Sequence, residues 1–140
     1  MPLSLRSAQL EDASLILEWQ RHSETRRFAR NSAIPAESEH LSWYAQKIAS
    51  ADCQFLIAEA EAVPVGFLRL DRCGDEWELS IVVAPEARRH GFATTMLALL
   101  DSLRGSRRLF AEVLPGNDAS HRLFQAAGWR SDGMCLYRMP

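Results

Sequence analysis

The 140-residue chain is poor in cysteine and has no large excess of charge of either sign. Its cysteines are Cys53, Cys73 and Cys135, an odd number without a C-x-x-C pair. That pattern fits neither a disulfide framework nor a zinc site, and it suits a reducing compartment. Sixteen basic side chains stand against eighteen acidic ones, for a net charge of −2 and a pI of about 6.1. This balance excludes a nucleic-acid binder that relies on bulk positive charge, yet leaves room for a local basic patch that meets a small anion. No segment approaches the ~20 apolar residues that span a bilayer. The N-terminal stretch MPLSLRSAQLEDAS lacks the basic-then-apolar order of a signal peptide. Repeats, low-complexity tracts and Gly/Ser linkers are also missing, and His22, His40, His90 and His121 show no metal-ligand spacing. The expectation is one cytoplasmic domain over residues 1–140, with no metal, no membrane and no nucleic-acid partner.

What is present is an ordinary globular composition, 47% apolar and 24% charged. A chain of this length buries roughly 68% of its unfolded surface, enough for a core without staples. Leu3 to Ser7 alternates as a strand. Asp12 is placed to cap a helix over ASLILEWQ, with Leu15, Ile16 and Trp19 on one face. The polar stretch from Arg21 to Pro35 reads as a short helix and a loop. Ala36 to Ser50 is a second helix, with Leu41, Tyr44, Ala45 and Ile48 at helical spacing. Gln54–Glu59 and Val63–Leu70 form a hairpin, and Trp77–Val83 adds a third strand that Pro85 stops. A nearly all-apolar helix follows from Phe92 to Leu103, then a strand over Arg107–Leu114 and a helix from Asn117 to Ala127 that Gly128 closes. Short strands over Trp129–Ser131 and Met134–Met139 flank the turn at Asp132-Gly133. The order β-α-α-β-β-β-α-β-α-β-β makes an α/β domain with a mixed sheet.

Two segments carry chemistry. In IVVAPEARRHGFATTML a strand passes through Arg88, Arg89, His90 and Gly91 into a helix. Unpaired N–H groups at a helix start attract phosphate, Gly91 permits close backbone approach, small Ala93 keeps the first turn open, and Thr94 adds a hydroxyl. Arg88 and Arg89 add charge. Taken alone, the same residues fit a plain strand-to-helix connection equally well. In FAEVLPGNDASHRLFQAAGW, Asn117 sits at a helix N-cap, with Ser120, Leu123, Phe124 and Ala127 at helical spacing. Alone, that is a capped amphipathic helix.

Together the segments resemble the GNAT superfamily of acetyl-CoA-dependent N-acetyltransferases. That family's V-x-P strand end followed by [RQ]-x-x-G-x-[GA] is filled by Val83, Pro85, Arg88, Gly91 and Ala93. Its later N-x-x-[AS]-x-x-x-[YF]-x-x-x-G-[FW] is filled by Asn117, Ser120, Phe124, Gly128 and Trp129. The resemblance implies a mixed, mostly antiparallel sheet flanked by helices, with a splayed parallel pair at Trp77–Val83 and Arg107–Leu114. It implies acetyl-CoA between those strands, its pantetheine arm along Ile81, Val82 and Val83. The pyrophosphate would lie on Arg88, Arg89, His90, Gly91, Phe92, Ala93 and Thr94, with Asn117, Ser120 and Phe124 on the cofactor arm. An amine would then attack the thioester directly. Glu112 resembles the general base of some protein-acetylating relatives; by pattern it is equally an outward strand carboxylate, with Glu78 and Ser80 as rivals. Many relatives carry tyrosine where this chain has Phe124, so the proton donor for the departing thiolate is vacant or moved, with His121, Ser120, Tyr137 or water to replace it.

The front third, with Trp19, Arg21, Arg26, Arg27, Phe28, Ile34, His40 and Trp43, looks like GNAT enzymes that acetylate nucleotide-linked amino sugars, as in pseudaminic-acid synthesis. Where those often carry W-R-N-D, this chain has Trp19-Gln20-Arg21-His22. On this reading Trp19 and Trp43 offer flat faces, while Arg26, Arg27 and Arg30 meet a diphosphate and His40 lies beside them; core tryptophans and solvated arginines are the plainer account. The resemblance leaves two other functions open, a ribosomal-protein-type N-terminal acetyltransferase and a non-catalytic acyl-CoA-binding domain. The protein is expected as a monomer or homodimer.

Overall fold

Alternating apolar residues build an antiparallel meander, and a crossover helix then forces one parallel pairing. The computed structural model describes residues 2–22, 36–133 and 135–140. It contains β1 (Leu3–Ser7), α1 (Ala13–Arg21), α2 (Glu37–Ala49), β2 (Cys53–Ala60), β3 (Val63–Cys73), β4 (Glu76–Val83), α3 (Phe92–Leu103), β5 (Arg108–Glu112), α4 (Asp118–Ala126), β6 (Arg130–Ser131) and β7 (Leu136–Arg138). Short 3-10 turns cover Leu10–Asp12 and Pro85–Ala87. Among the described residues the strands form one seven-stranded sheet in the order β1-β2-β3-β4-β5-β7-β6. The β4–β5 pair is parallel and its other neighbours are antiparallel. The short helix and loop expected over Arg21–Pro35 lie, beyond His22, outside the described residues.

The period of two sorts the sheet into faces. One face meets α1 and α2: Trp19 stacks on Phe67 at 6.4 Å, and Tyr44 and Trp43 stand edge-on to Phe55 at 5.3 and 6.2 Å. The register Phe67↔Val82, Arg69↔Ser80, Asp71↔Glu78 carries that face across to β4, and Glu78↔Phe110 carries it to β5. Leu56, Leu68, Leu70 and Leu79, all buried, belong to the other face. There α3 packs on β1 and β4, with Met96 and Leu100 fully buried.

Two local expectations are corrected. Helix α1 starts at Ala13, but the Asp12 carboxylate makes no cap bond. It accepts from Arg6 Nη1 and Nη2 at 2.8 and 2.9 Å and from the Gln9 N–H at 2.7 Å. The Arg6 fork and the Gln9 N–H together engage both carboxylate oxygens and hold them toward β1 and the turn before the helix. Leu41, expected on the buried side of α2, is 50% exposed, because the helix packs through His40 and Tyr44 instead. The Tyr44 hydroxyl donates to the Gln9 carbonyl at 2.6 Å and ties α2 to the turn before α1.

Candidate active site

The β4–β5 ladder is brief. Glu76↔Arg108, Trp77↔Leu109 and Glu78↔Phe110 are paired; from Leu79 to Val83 the β5-facing side of β4 has no strand partner among the described residues. Backbone N–H and C=O groups there are left to face a cleft, an arrangement suited to a ligand that pairs like a strand. Ile81, Val82 and Val83 are half-buried along it. Gly66 backs this stretch from β3: a Cβ there would land on the Val82 carbonyl oxygen and within 3.1 Å of the Val83 Cα. The glycine lets β3 and β4 approach closely beside Val82 and Val83.

At the end of β4 the chain runs through Arg88 and Arg89 to Gly91. Gly91 has φ 74 and is the N-cap of α3, a left-handed conformation glycine adopts readily, with nothing within 4 Å of where a Cβ would stand. No side chain caps α3. The Thr95 N–H already bonds to the Gly91 carbonyl at 3.2 Å. The N–H groups of Phe92, Ala93 and Thr94 have no partner among the described residues, and three such donors at a helix start form an anion cradle. Arg88 lies against the strand end, its Nε 3.4 Å from the Val83 carbonyl. Arg89, His90 and Thr94 are exposed around the cradle, and the His90 ring sits 5.7 Å from that of Phe92.

On the β5 side, Glu112 is exposed and shares the α1/α2 face with Glu78 and Ser80, which are half-buried. The fold thus brings these three expected residues onto one face beside the cleft. Asn117 caps α4, its Oδ1 accepting from the Ser120 N–H at 3.3 Å. Phe124 is 2% exposed and packed between Trp129 and Tyr137, with ring centres at 4.8 and 5.5 Å. Tyr137 and His121 are engaged with each other at 2.7 Å. His121 Nε2 lies 3.2 Å from the Leu114 carbonyl, which can only accept; neutral His121 therefore carries its proton on Nε2 and receives the Tyr137 hydroxyl at Nδ1.

The acceptor-side residues separate. Trp19 is 1% exposed under Phe67, so it belongs to the core and offers no face to a ligand. His40 is buried, its Nε2 3.0 Å from the Ala13 carbonyl, and burial pushes it below its ordinary value. It is a helix-packing residue. Trp43 is half-buried with the Arg69 guanidinium 5.1 Å above its ring. Arg26, Arg27 and Arg30 lie outside the described residues. A cavity of about 370 Å³ opens between α1 and α2, lined by residues that include Glu18, Arg21 and His40 and none from β4 or β5.

The sequence reading passed over a polar cluster on the α1/α2 face of the sheet. Arg69 Nε donates to Asp71 Oδ2 at 2.7 Å, Lys47 Nζ to Asp71 Oδ1 at 2.8 Å, and Arg69 Nη2 to Ser80 Oγ at 3.3 Å. Burial opposes ionisation of Asp71, but the two cations outweigh it and hold the carboxyl below the usual carboxylate range. The signal was the run FLRLD: charged residues at alternate positions of a strand whose other positions are apolar.

Comparison with known proteins agrees with this fold. Residues 3–130 match the family model described as acetyltransferase (GNAT) domain, and the chain belongs to that family. A search of curated proteins finds no match. Among solved structures, spermidine N-acetyltransferase from Vibrio cholerae, in complex with CoA and spermine, is similar with a TM-score of 0.84 and 19% identity, over 98% of this chain and 93% of that one. A GNAT superfamily phosphinothricin acetyltransferase from Sinorhizobium meliloti, in complex with AcCoA, gives 0.80 and 21%, over 100% and 89%. An N-acetyltransferase from Staphylococcus aureus Mu50 gives 0.82 and 21%, over 99% and 98%.

Proposed function

We propose that this protein transfers the acetyl group of acetyl-CoA to the primary amine of a small molecule, by direct attack of the amine. The observation that carries the reading is the unpaired β4 edge from Leu79 to Val83 ending in the uncapped, glycine-led start of α3. Those residues fit acetyl-CoA: the Ile81–Val83 backbone pairs with its amide-bearing arm, and the N–H groups of Phe92, Ala93 and Thr94 hold its pyrophosphate with Arg88 and Arg89 alongside. When bound, acetyl-CoA supplies an activated acyl carbon with a thiolate leaving group.

The amine must be neutral to attack, so a carboxylate near it is useful. Glu112 takes the amine proton directly or through water, with Glu78 and Ser80 on the same face to orient the acceptor. Asn117 braces the cofactor arm beside the start of α4, while Phe124, buried between Trp129 and Tyr137, packs behind that helix and offers the arm no face. Within small amines, a nucleotide-linked amino sugar is the acceptor favoured by the front third of the sequence. Its stacking partner is now Trp43 alone, because Trp19 is in the core.

The test is acetyl-CoA binding by calorimetry, then thiol release with amino sugars, polyamines, amino acids and ribosomal N-terminal peptides. Gly91→Glu should abolish acetyl-CoA binding while the protein stays folded, because it sets a carboxylate in the anion cradle. Unchanged affinity in that variant refutes the cofactor assignment. Efficient acetylation of peptides alone favours N-terminal acetylation, and binding without any thiol release favours an acyl-CoA sensor.

A further inference from the structure

Arg69 lies inside a tight set of contacts without using its donors up. Its side chain is 18% exposed, held by Asp71, with its central carbon 5.1 Å over the Trp43 ring. A guanidinium has five N–H donors. One goes to Asp71 and one to Ser80; the other three have no partner among the described residues. Half-buried charged donors are normally satisfied, so three open ones on a fixed fork mark a place for an acceptor. Ser80 accepts from Arg69, which leaves its own hydroxyl hydrogen to give.

The placement matters as much as the count. Arg69 stands opposite Ser80 on the sheet. Ser80 lies just past Glu78, the last β4 residue paired with β5, so it is at the lip of the cleft. Arg69 is therefore one strand, roughly 5 Å, back from that lip on the face of α1 and α2. Lys47 and Arg69 together outweigh Asp71 by one positive charge. Glu78 and Glu112 on the same face supply negative charge nearer the cleft. A cation set back from carboxylates complements a molecule that carries an amine at one end and an anion a few bonds away.

We propose that Arg69 selects the acceptor by binding an oxyanion (a carboxylate, phosphinate or phosphate) carried by the same molecule as the reacting amine. This rests on the transferase reading above and narrows its acceptor to anionic amines. Arg69 is a specificity residue that touches the acceptor and does no chemistry on the acetyl group.

The test measures thiol release with phosphinothricin, L-methionine, L-methionine methyl ester, a UDP-linked amino sugar, spermidine and kanamycin. At least one anion-bearing amine should be used with a KM roughly ten-fold or more below that of the anion-free amines. Success with the amino acids places a carboxylate or phosphinate on Arg69; success with the UDP sugar alone places a phosphate. Arg69→Gln should raise the acceptor KM roughly 10- to 100-fold, the span of a lost charge-assisted pair, with kcat within a few-fold and acetyl-CoA affinity unchanged. Arg69→Lys should recover part of the loss. If Arg69→Gln does not fold, the Lys variant and the wild-type preference between L-methionine and its ester decide. Preference for spermidine or kanamycin, or an acceptor KM that Arg69→Gln leaves unmoved, overturns the assignment to Arg69 alone. Thiol release from none of the amines, with acetyl-CoA still bound, overturns the transferase reading and Arg69's role with it.

Discussion

Glu112 and Gly66 both bear on the cleft, one through its charge and one through its size. Glu112 sits at the end of β5 on the face that Glu78 and Ser80 share. Glu112→Gln should lower kcat about 10²-fold, the ordinary scale of a general base, with acetyl-CoA affinity held. A near wild-type rate between pH 6 and 9 would transfer the role to Glu78. Gly66 acts through space it leaves empty. In Gly66→Ala the new methyl meets the Val82 backbone, which cannot move like a side chain. The expected cost is about 1–3 kcal/mol of stability, with weaker acetyl-CoA binding because the strand proposed to pair with it is displaced. Calorimetry alongside a thermal melt checks both, and a Gly66→Ala protein that binds normally would show that β4 tolerates the shift. The position of Glu112 on its strand was readable from alternation and from its spacing from Asn117. Gly66 was not, since a glycine inside an apolar strand says nothing of what lies across from it.

The elements followed from period and punctuation. Leu3–Ser7 and Phe92–Leu103 coincide with the sequence reading, and the other strands and helices differ from it mostly by one to three residues at their ends. The β2–β3 hairpin carries a feature its sequence hides. Glu61 and Ala62 have φ of 52° and 66°, the double left-handed geometry of a type I′ turn, which Asn-Gly fills best. Alanine and glutamate there cost about 1–2 kcal/mol per residue. Replacing the pair by Asn-Gly should raise Tm by about 2–4 °C without touching acetyl-CoA binding; a melt at or below wild type would show the strain to be absorbed elsewhere. Asp12 looked like a helix cap because caps are local signals. Its actual partner, Arg6, was also near in sequence, but only the chain reversal after β1 aims the guanidinium at it.

The whole molecule is pinned at its N-terminal edge by the Asp12–Arg6–Glu59 set, with Arg6 Nε 3.1 Å from Glu59. The Arg6 hydrogen bond holds the Asp12 carboxyl below its ordinary value. A carboxyl whose folded pKa is depressed stabilises the fold above its unfolded value, about 3.9, and that contribution disappears as pH falls through the folded value. Wild type should thus lose Tm below about pH 4 more steeply than Asp12→Asn, which should already be about 1–3 kcal/mol less stable at pH 7. Parallel melting curves for the two across pH 3–7 would remove Asp12 from the account. At this scale the division between sequence and structure is clear. The sequence by itself determined the family, the element order, the glycine-led start of α3 and the cap at Asn117, because each is a contiguous pattern whose physics is local: a period, a helix start, a glycine where φ must be positive. Tertiary structure alone decided which tryptophan is core and which meets a cation, that Tyr137 is tied to His121 beside Phe124, and that Arg69 stands one strand back from Ser80 at the lip of the cleft. Those facts depend on strand register and helix docking, which join residues far apart in the chain and leave no mark in their local spacing.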